Sequence, residues 1–76
     1  FCAGADLNWM KRTKNYSYEE NVADAKKLGK MFHIWASLPQ VIIGRINGSA
    51  IGGGTGLVAI CDISVSIARA KFAFSE

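Results

Sequence analysis

The sequence has few of the residues that build disulfide frameworks and metal centres. Its 76 residues include two cysteines, one histidine and one proline. Two cysteines are too few for a disulfide scaffold, and neither Cys2 nor Cys61 stands at a metal-ligand spacing. A lone histidine such as His33 is more often a packed or surface residue than a base or a ligand. We therefore expect reduced, buried thiols and no metal site.

Long apolar runs and blocks of like charge are also missing. The uninterrupted apolar runs are far too short to cross a membrane. Nine basic residues against six acidic ones give a net charge of +3, and the lysines are spread along solvated helix faces rather than gathered in a motif. We expect neither a membrane span nor a nucleic-acid partner. An acidic, phosphate-bearing small ligand stays open.

The length and both ends of the chain suggest part of a larger domain. A core of this size is marginal without disulfides or a metal. The chain opens at Phe1 without an initiator methionine, and it stops at Glu76 just after a β-like run has begun at Lys71. We expect residues 1–76 to be an internal fragment of a single domain.

Hydrophobic spacing predicts an α/β architecture. Apolar or alternating runs predict strands at the start of the chain and at residues 40–46, 62–67 and 71–74. The β-branched run at residues 40–46 suits a strand buried on both faces. Because functional groups of α/β proteins gather where strands end, three groups that follow predicted strands are expected on one rim. They are the turn at Ala3, the loop at Gly53 and the carboxylate of Glu76.

Capping residues and helical spacing predict the helices. Asp6 is a candidate cap for a short helix, which a loop at residues 11–16 follows. The capping-box sequence Ser17-Tyr18-Glu19-Glu20 opens an amphipathic helix that ends before Pro39. A short buried helix is expected at residues 57–60.

The stretch from Ile46 to Leu57 contains five of the eight glycines. Glycine between a strand and a helix marks a sharp bend or a close approach to a ligand. A phosphate-binding P-loop is excluded because Gly54 and Thr55, not a lysine, follow Gly53. A dinucleotide fingerprint fails because Leu57 stands at its third glycine. The loop either offers backbone N–H groups to a developing oxyanion or is a tight turn with no ligand.

Four separated motifs stand in a fixed order along the chain. They are Phe1-Cys2-Ala3-Gly4-Ala5-Asp6-Leu7, Asn47-Gly48-Ser49-Ala50-Ile51-Gly52-Gly53-Gly54, Cys61-Asp62-Ile63 and Phe72-Ala73-Phe74-Ser75-Glu76. In order and spacing they resemble the enoyl-CoA hydratase/isomerase (crotonase) family over essentially the whole chain. Two further runs, residues 8–12 and 54–59, look most like its methylglutaconyl-CoA hydratase branch. The resemblance implies the crotonase-like (ClpP/crotonase) ββα spiral fold, of class α/β.

The resemblance also implies roles for particular residues. The thioester carbonyl of an acyl-CoA would be held by the backbone N–H groups of Ala3 and Gly53, and Glu76 would act as the general acid/base. The turn of Ala3, Gly4, Ala5, Asp6 and Leu7 would line the adenine end of the coenzyme A pocket. Coenzyme A would be part of the substrate, so no separate cofactor is expected.

One departure from the family pattern leaves the reaction open. Many hydratases of the family carry a second glutamate where this sequence has Gly56. Hydration of a 2-enoyl-CoA, such as the branched, carboxylated 3-methylglutaconyl-CoA, is the first prediction. Double-bond isomerisation and non-catalytic acyl-CoA binding are the alternatives.

The resemblance carries expectations about assembly and setting as well. It implies a homotrimer or homohexamer. It also implies a role in fatty acid metabolism or branched-chain amino acid catabolism. The expected compartment is the bacterial-type cytoplasm, with the mitochondrial matrix as the alternative.

Overall fold

The computed structural model of the chain describes residues 1–75. The helices and strands do not alternate strictly as predicted, because two helices, two strands, one helix and two strands follow one another, and the strand predicted at the start of the chain is only an isolated bridge at Cys2. In chain order the elements are α1 (Leu7–Thr13), α2 (Tyr18–Ala36), β1 (Ile43–Ile46), β2 (Ala50–Ile51), α3 (Gly53–Ala59), β3 (Ile63–Ser66) and β4 (Phe72–Ala73).

Side-chain caps begin the first two helices, and both caps were predicted. The Asp6 carboxylate accepts a hydrogen bond from the Asn8 N–H at 2.7 Å. The Ser17 hydroxyl accepts from the Glu20 N–H at 3.1 Å, and the Glu20 carboxylate accepts from the Ser17 N–H at 3.3 Å. Each bond satisfies a donor that the helix itself leaves without a partner. The predicted end of α2 before Pro39 is also confirmed.

The predicted loop at residues 11–16 is wrong in its first part. Helix α1 continues to Thr13, and its last turn carries Lys11 and Arg12. Cations in that position interact favourably with the negative end of the helix dipole. The Thr13 hydroxyl also donates to the Met10 carbonyl at 2.7 Å.

The strands pair in parallel, in two small sheets. Strand β1 pairs with β3, with Ile43 opposite Ile63, and β2 pairs with β4, with Ala50 opposite Phe72. Cys2 forms an isolated parallel bridge to Ala50. The strands expected at residues 40–46, 62–67 and 71–74 are all shorter than predicted, and β2 was not predicted as a separate strand. Its two residues are too few to give an alternating pattern.

Burial is lower than the apolar composition suggested. In β1 only Gly44 and Ile46 are buried, and Ile43 is 66% exposed, so the prediction of a strand buried on both faces is wrong. All four residues of β3 are exposed. Within residues 1–75 no second layer of side chains packs on the face of the β1–β3 pair that carries Ile43 and Ile63. The two cysteines are free and half-buried rather than fully buried.

The exposed surface is large for the mass of the chain. The accessible area is 5945 Å², whereas a compact monomer of 8.2 kDa exposes about 4,500 Å². The radius of gyration is 14.1 Å, against about 11 Å for a compact domain of this length. Much of the apolar surface of α2, β1 and β3 therefore remains in contact with solvent. No helix of the described residues has the length and apolar character needed to span a membrane.

We predict that the 76-residue chain by itself lacks a cooperative thermal transition. Too little apolar surface is buried to offset the loss of conformational entropy on folding. Circular dichroism during heating should show a gradual loss of helix signal. A sharp sigmoidal transition, with the same midpoint in the far and near ultraviolet, would contradict the prediction.

Candidate functional site

A single residue turns the chain from β2 into α3. Gly52 has φ 58° and ψ −123°, in the positive-φ region that side chains rarely enter. It is the N-cap of α3 and provides no side-chain cap. Its N–H donates to the Ala73 carbonyl at 2.8 Å, and its carbonyl accepts from the Thr55 N–H at 2.9 Å. Because of this bend α3 begins at Gly53, four residues before the start that was predicted.

The N-terminal turn packs directly on the glycine loop. The Cys2 N–H donates to the Ser49 carbonyl at 3.1 Å, and the Ile51 N–H donates to the Cys2 carbonyl at 2.9 Å. Gly4 has φ 100°, and a Cβ built on it would lie 3.2 Å from the Ile51 carbonyl oxygen and 3.6 Å from the Gly53 nitrogen. The structure therefore brings together two turns that lie some fifty residues apart in the sequence.

The two turns share one cavity. A cavity of about 420 Å³ is bordered by five of the seven residues predicted for the site. They are Ala3, Gly4, Ala5, Leu7 and Gly53. Asp6 does not border it and instead caps α1. Glu76 lies outside the described residues, while the preceding residue, Ser75, borders the cavity.

A smaller cavity adjoins the first. It has a volume of about 180 Å³ and shares Gly4, Ala5, Leu28 and Gly53 with the larger one. Among residues 1–75 the side chains that border the two cavities carry no charge. In the same part of the chain, no group of three or more histidine, cysteine, aspartate or glutamate side chains could hold a metal ion. The polar groups offered to the cavity thus come largely from the backbone.

Two backbone donors at this cavity have no acceptor within residues 1–75. Neither the Ala3 N–H nor the Gly53 N–H makes a hydrogen bond to a described backbone or side-chain group. Both residues are exposed, so water can occupy these N–H groups, and a carbonyl or anionic oxygen of a ligand would replace that water. Two backbone N–H groups without an acceptor, on residues that border one cavity, are donors suited to an oxygen atom of a ligand.

The helices provide cavity walls that sequence patterns did not assign to the site. Met10 of α1 and Leu28 of α2 both border the larger cavity. The Trp9 indole N–H donates to the Asp24 carboxylate at 3.1 Å and joins these helices. The two residues are 15 positions apart, which is outside the helical neighbour spacing that pattern analysis uses. No signal in the sequence predicted this pairing.

The position of the missing second glutamate is packed against an aromatic ring. A Cβ built on Gly56 would lie 3.2 Å from Cζ and 3.3 Å from Cε1 of Phe32. Phe32 extends from α2 and is only partly exposed. A longer side chain at residue 56 would require the ring to move.

Comparison with known proteins places these features in a family. The sequence model described as enoyl-CoA hydratase/isomerase matches residues 1–76. A mitochondrial methylglutaconyl-CoA hydratase of Mus musculus is 40% identical over 76 residues, which cover all of this chain and 23% of the mouse protein.

Two solved structures have the same fold over this region. An enoyl-CoA hydratase/isomerase (crotonase) structure from Legionella pneumophila superposes with a TM-score of 0.92 at 43% identity, covering 100% of this chain and 29% of that chain. An enoyl-CoA hydratase from Shewanella pealeana superposes with a TM-score of 0.89 at 39% identity, covering 95% of this chain and 27% of that chain. The chain spans less than a third of the length of these relatives. The predicted crotonase-like α/β fold is confirmed.

We predict that Gly54→Ala destabilises the whole protein that contains these residues. A Cβ at Gly54 would collide with the Cys2 carbonyl oxygen and lie 2.9 Å from the Cys2 Cβ. Overpacking of this kind costs about 1–3 kcal/mol of unfolding free energy, which denaturant unfolding measures.

Gly29→Ala is the matched control for this substitution. Gly29 lies in α2, and a Cβ there would meet nothing within 4 Å. It should raise the unfolding free energy by roughly 0.5–1 kcal/mol, because alanine favours a helix over glycine. Equal effects of the two substitutions would refute the close approach at Gly54.

Proposed function

The chain belongs to the enoyl-CoA hydratase/isomerase family, and from this premise we propose that it forms the thioester-binding part of an enzyme that hydrates a 2-enoyl-CoA. In this proposal residues 1–76 are part of a single acyl-CoA-binding domain. One observation carries it: Ala3 and Gly53 border the same uncharged cavity, and the N–H group of neither residue has an acceptor within residues 1–75. Such a pair fits the carbonyl oxygen of a thioester.

The two N–H groups would act mainly on the transition state. When water adds to carbon 3 of the enoyl group, negative charge moves through the double bond to the thioester oxygen. Fixed donors stabilise that charged oxygen more than the neutral carbonyl, so the barrier falls. An uncharged, apolar surrounding strengthens the effect, because Coulomb interactions are less screened there.

Glu76 is the proposed general acid/base. Its carboxylate would accept a proton from water as the hydroxyl group bonds to carbon 3, and it would return that proton to carbon 2. The product then differs from the substrate by one water molecule. Support for this role comes from the family motif Phe72-Ala73-Phe74-Ser75-Glu76 and from Ser75, the preceding residue, at the cavity wall.

The contacts to coenzyme A and the identity of the acyl group are also part of the proposal. The turn from Ala3 to Leu7 would contact the adenine end of coenzyme A, with Asp6 acting through its cap on α1. Coenzyme A would arrive as part of the substrate, without a separate cofactor. Similarity to the mouse methylglutaconyl-CoA hydratase favours a branched, carboxylated acyl group. The proposed assembly is a homotrimer or homohexamer.

A second candidate function is double-bond isomerisation of an enoyl-CoA. The observation that favours it is Gly56, which supplies no second carboxylate, and the Phe32 ring packs against that position. A single carboxylate suffices to move one proton between two carbon atoms of the acyl chain.

The proposed reaction and the role of Glu76 can be tested in one assay. The whole protein, incubated with short linear and branched carboxylated enoyl-CoA esters, should yield products heavier by one water. Glu76→Gln should lower turnover by about 10²–10⁴-fold, the contribution usual for a positioned general acid/base. Mass spectrometry of the esters over time measures both effects.

The alternatives give different results in the same assay. Unchanged mass with a shifted double bond would identify the isomerase. Binding of the esters without any conversion would identify a non-catalytic acyl-CoA-binding protein. Full turnover by Glu76→Gln would refute the role of this residue.

The second prediction removes one proposed oxyanion donor. Gly53 is the first residue of α3, a position where proline is well tolerated. The residue before a proline must have an extended ψ. Gly52 precedes residue 53 and has ψ −123°, the mirror image of such a value, which glycine adopts equally well because it has no side chain. Gly53→Pro should therefore fold but lose about 10²–10³-fold in kcat, as expected when one donor is lost.

A matched proline variant tests whether the fold alone is responsible. Tyr18 is the first residue of α2, is 79% exposed and lies in the chain after an extended Ser17 with ψ 169°. Tyr18→Pro should retain nearly full kcat. If both variants lost activity equally, or if Gly53→Pro kept it, the donor role of Gly53 would be contradicted.

A further inference from the structure

The Thr55 hydroxyl lies where three elements meet. Its Oγ1 is 2.8 Å from the Ala50 carbonyl oxygen of β2 and 2.9 Å from the Ala73 carbonyl oxygen of β4. Thr55 itself belongs to the first turn of α3. Its side chain is only partly exposed, so competition from water for these two acceptors is reduced.

The position of Thr55 in α3 explains why its hydroxyl reaches outside the helix. A threonine in a helix interior usually bonds the carbonyl three or four residues before it. Thr55 is the third residue of α3, so its carbonyl partners lie outside the helix. A hydroxyl has one hydrogen, and the two carbonyls share it as acceptors.

The same contact supports a very short strand pair. Strands β2 and β4 pair over only two residues each. The Ala73 carbonyl accepts from the Gly52 N–H at 2.8 Å as well as from the Thr55 hydroxyl. The two donors lie on either side of Gly53 in the sequence, and Gly53 borders the cavity. Ala73 in turn lies three residues before Glu76 in the sequence.

We propose that Thr55 is a positioning residue that fixes the proposed oxyanion donor of Gly53 relative to the strand that leads to Glu76. The inference rests on the proposed function, since it concerns the distance between those two groups. Thr55 touches neither the substrate nor a reacting atom in this proposal. It acts by holding the first turn of α3 against the end of β4.

The expected consequence is an effect on turnover rather than on binding. The two carbonyl contacts join the first turn of α3, which begins at Gly53, to β2 and to the end of β4, from which the sequence continues to Glu76. A misplacement of about 1 Å between reacting groups can lower the rate by about 10²-fold. Substrate binding draws on many other contacts and should change little.

The test compares variants that keep or remove the hydroxyl. Thr55→Val preserves the shape of the side chain without the hydroxyl, and Thr55→Ser preserves the hydroxyl without the methyl group. In the whole protein, Thr55→Val should lower kcat by about 10–100-fold with KM changed less than about threefold. Thr55→Ser should stay within about threefold of the unaltered protein.

Ser64→Ala provides a control for hydroxyl removal near the same helix. Ser64 is exposed and donates a long 3.5 Å hydrogen bond to Val58, away from the cavity. It should leave both kcat and KM unchanged. Unaltered kcat in Thr55→Val, equal losses in Thr55→Val and Thr55→Ser, or a change confined to KM would each overturn the proposal.

A second pair covers the case in which Thr55→Val does not fold. Thr55→Ser and Thr55→Ala differ only by the hydroxyl, and both remove the methyl group. Compared at a temperature below both melting transitions, the serine variant should have the higher kcat by about tenfold or more. Equal kcat values in this pair would overturn the proposal.

Amide hydrogen exchange separates failure of this proposal from failure of the proposed function. If the unaltered protein converts none of the esters, the proposed function fails, and the catalytic part of this inference fails with it. Exchange at the Gly52 N–H, which donates to the Ala73 carbonyl, still measures how firmly the start of α3 is held against β4. Faster exchange in Thr55→Val than in Thr55→Ser would support a role of the Thr55 hydroxyl in holding α3 against β4. Equal exchange in the two variants would overturn that role.

Discussion

The approach of the Cys2 backbone to Gly54 is the contact on which the candidate site depends. Gly54 is buried and has no side chain, so the Cys2 main chain can lie against the first turn of α3. The Ile51 N–H secures this approach by donating to the Cys2 carbonyl at 2.9 Å. Because the contact joins backbone to backbone, the N–H groups of Ala3 and Gly53 are placed by the main chain.

The placement of both N–H groups by the main chain suits the chemistry proposed for the site. Fixed backbone dipoles need no reorganisation as charge develops on a bound oxygen. Part of the cavity wall comes from α1 and α2, which the Trp9–Asp24 hydrogen bond joins. The first helix therefore both follows the Ala3 turn in the chain and closes one side of the cavity. Displacement of α1 would be expected to alter the Ala3 turn directly.

Apolar composition and observed burial disagree most on the paired strands β1 and β3. Ile43 and Ile63 face each other in register and are 66% and 53% exposed. Alternating and β-branched residues predicted both strands, because that signal depends on the side chains alone. It did not predict their burial, which depends on whether another layer packs on the sheet. Within residues 1–75 such a layer is not present on the face that carries these two side chains.

The sequence by itself determined the features whose partners lie within a few residues. The caps at Asp6 and Ser17, the end of α2 before Pro39 and the family motifs could be identified from local spacing, because a cap bonds the backbone two or three residues away. Tertiary structure decided what local spacing cannot encode. The Trp9–Asp24 bond spans 15 residues and the bond from Thr55 to Ala73 spans 18. Such partners have no fixed sequence separation, so only the packing of helices and strands brings them together.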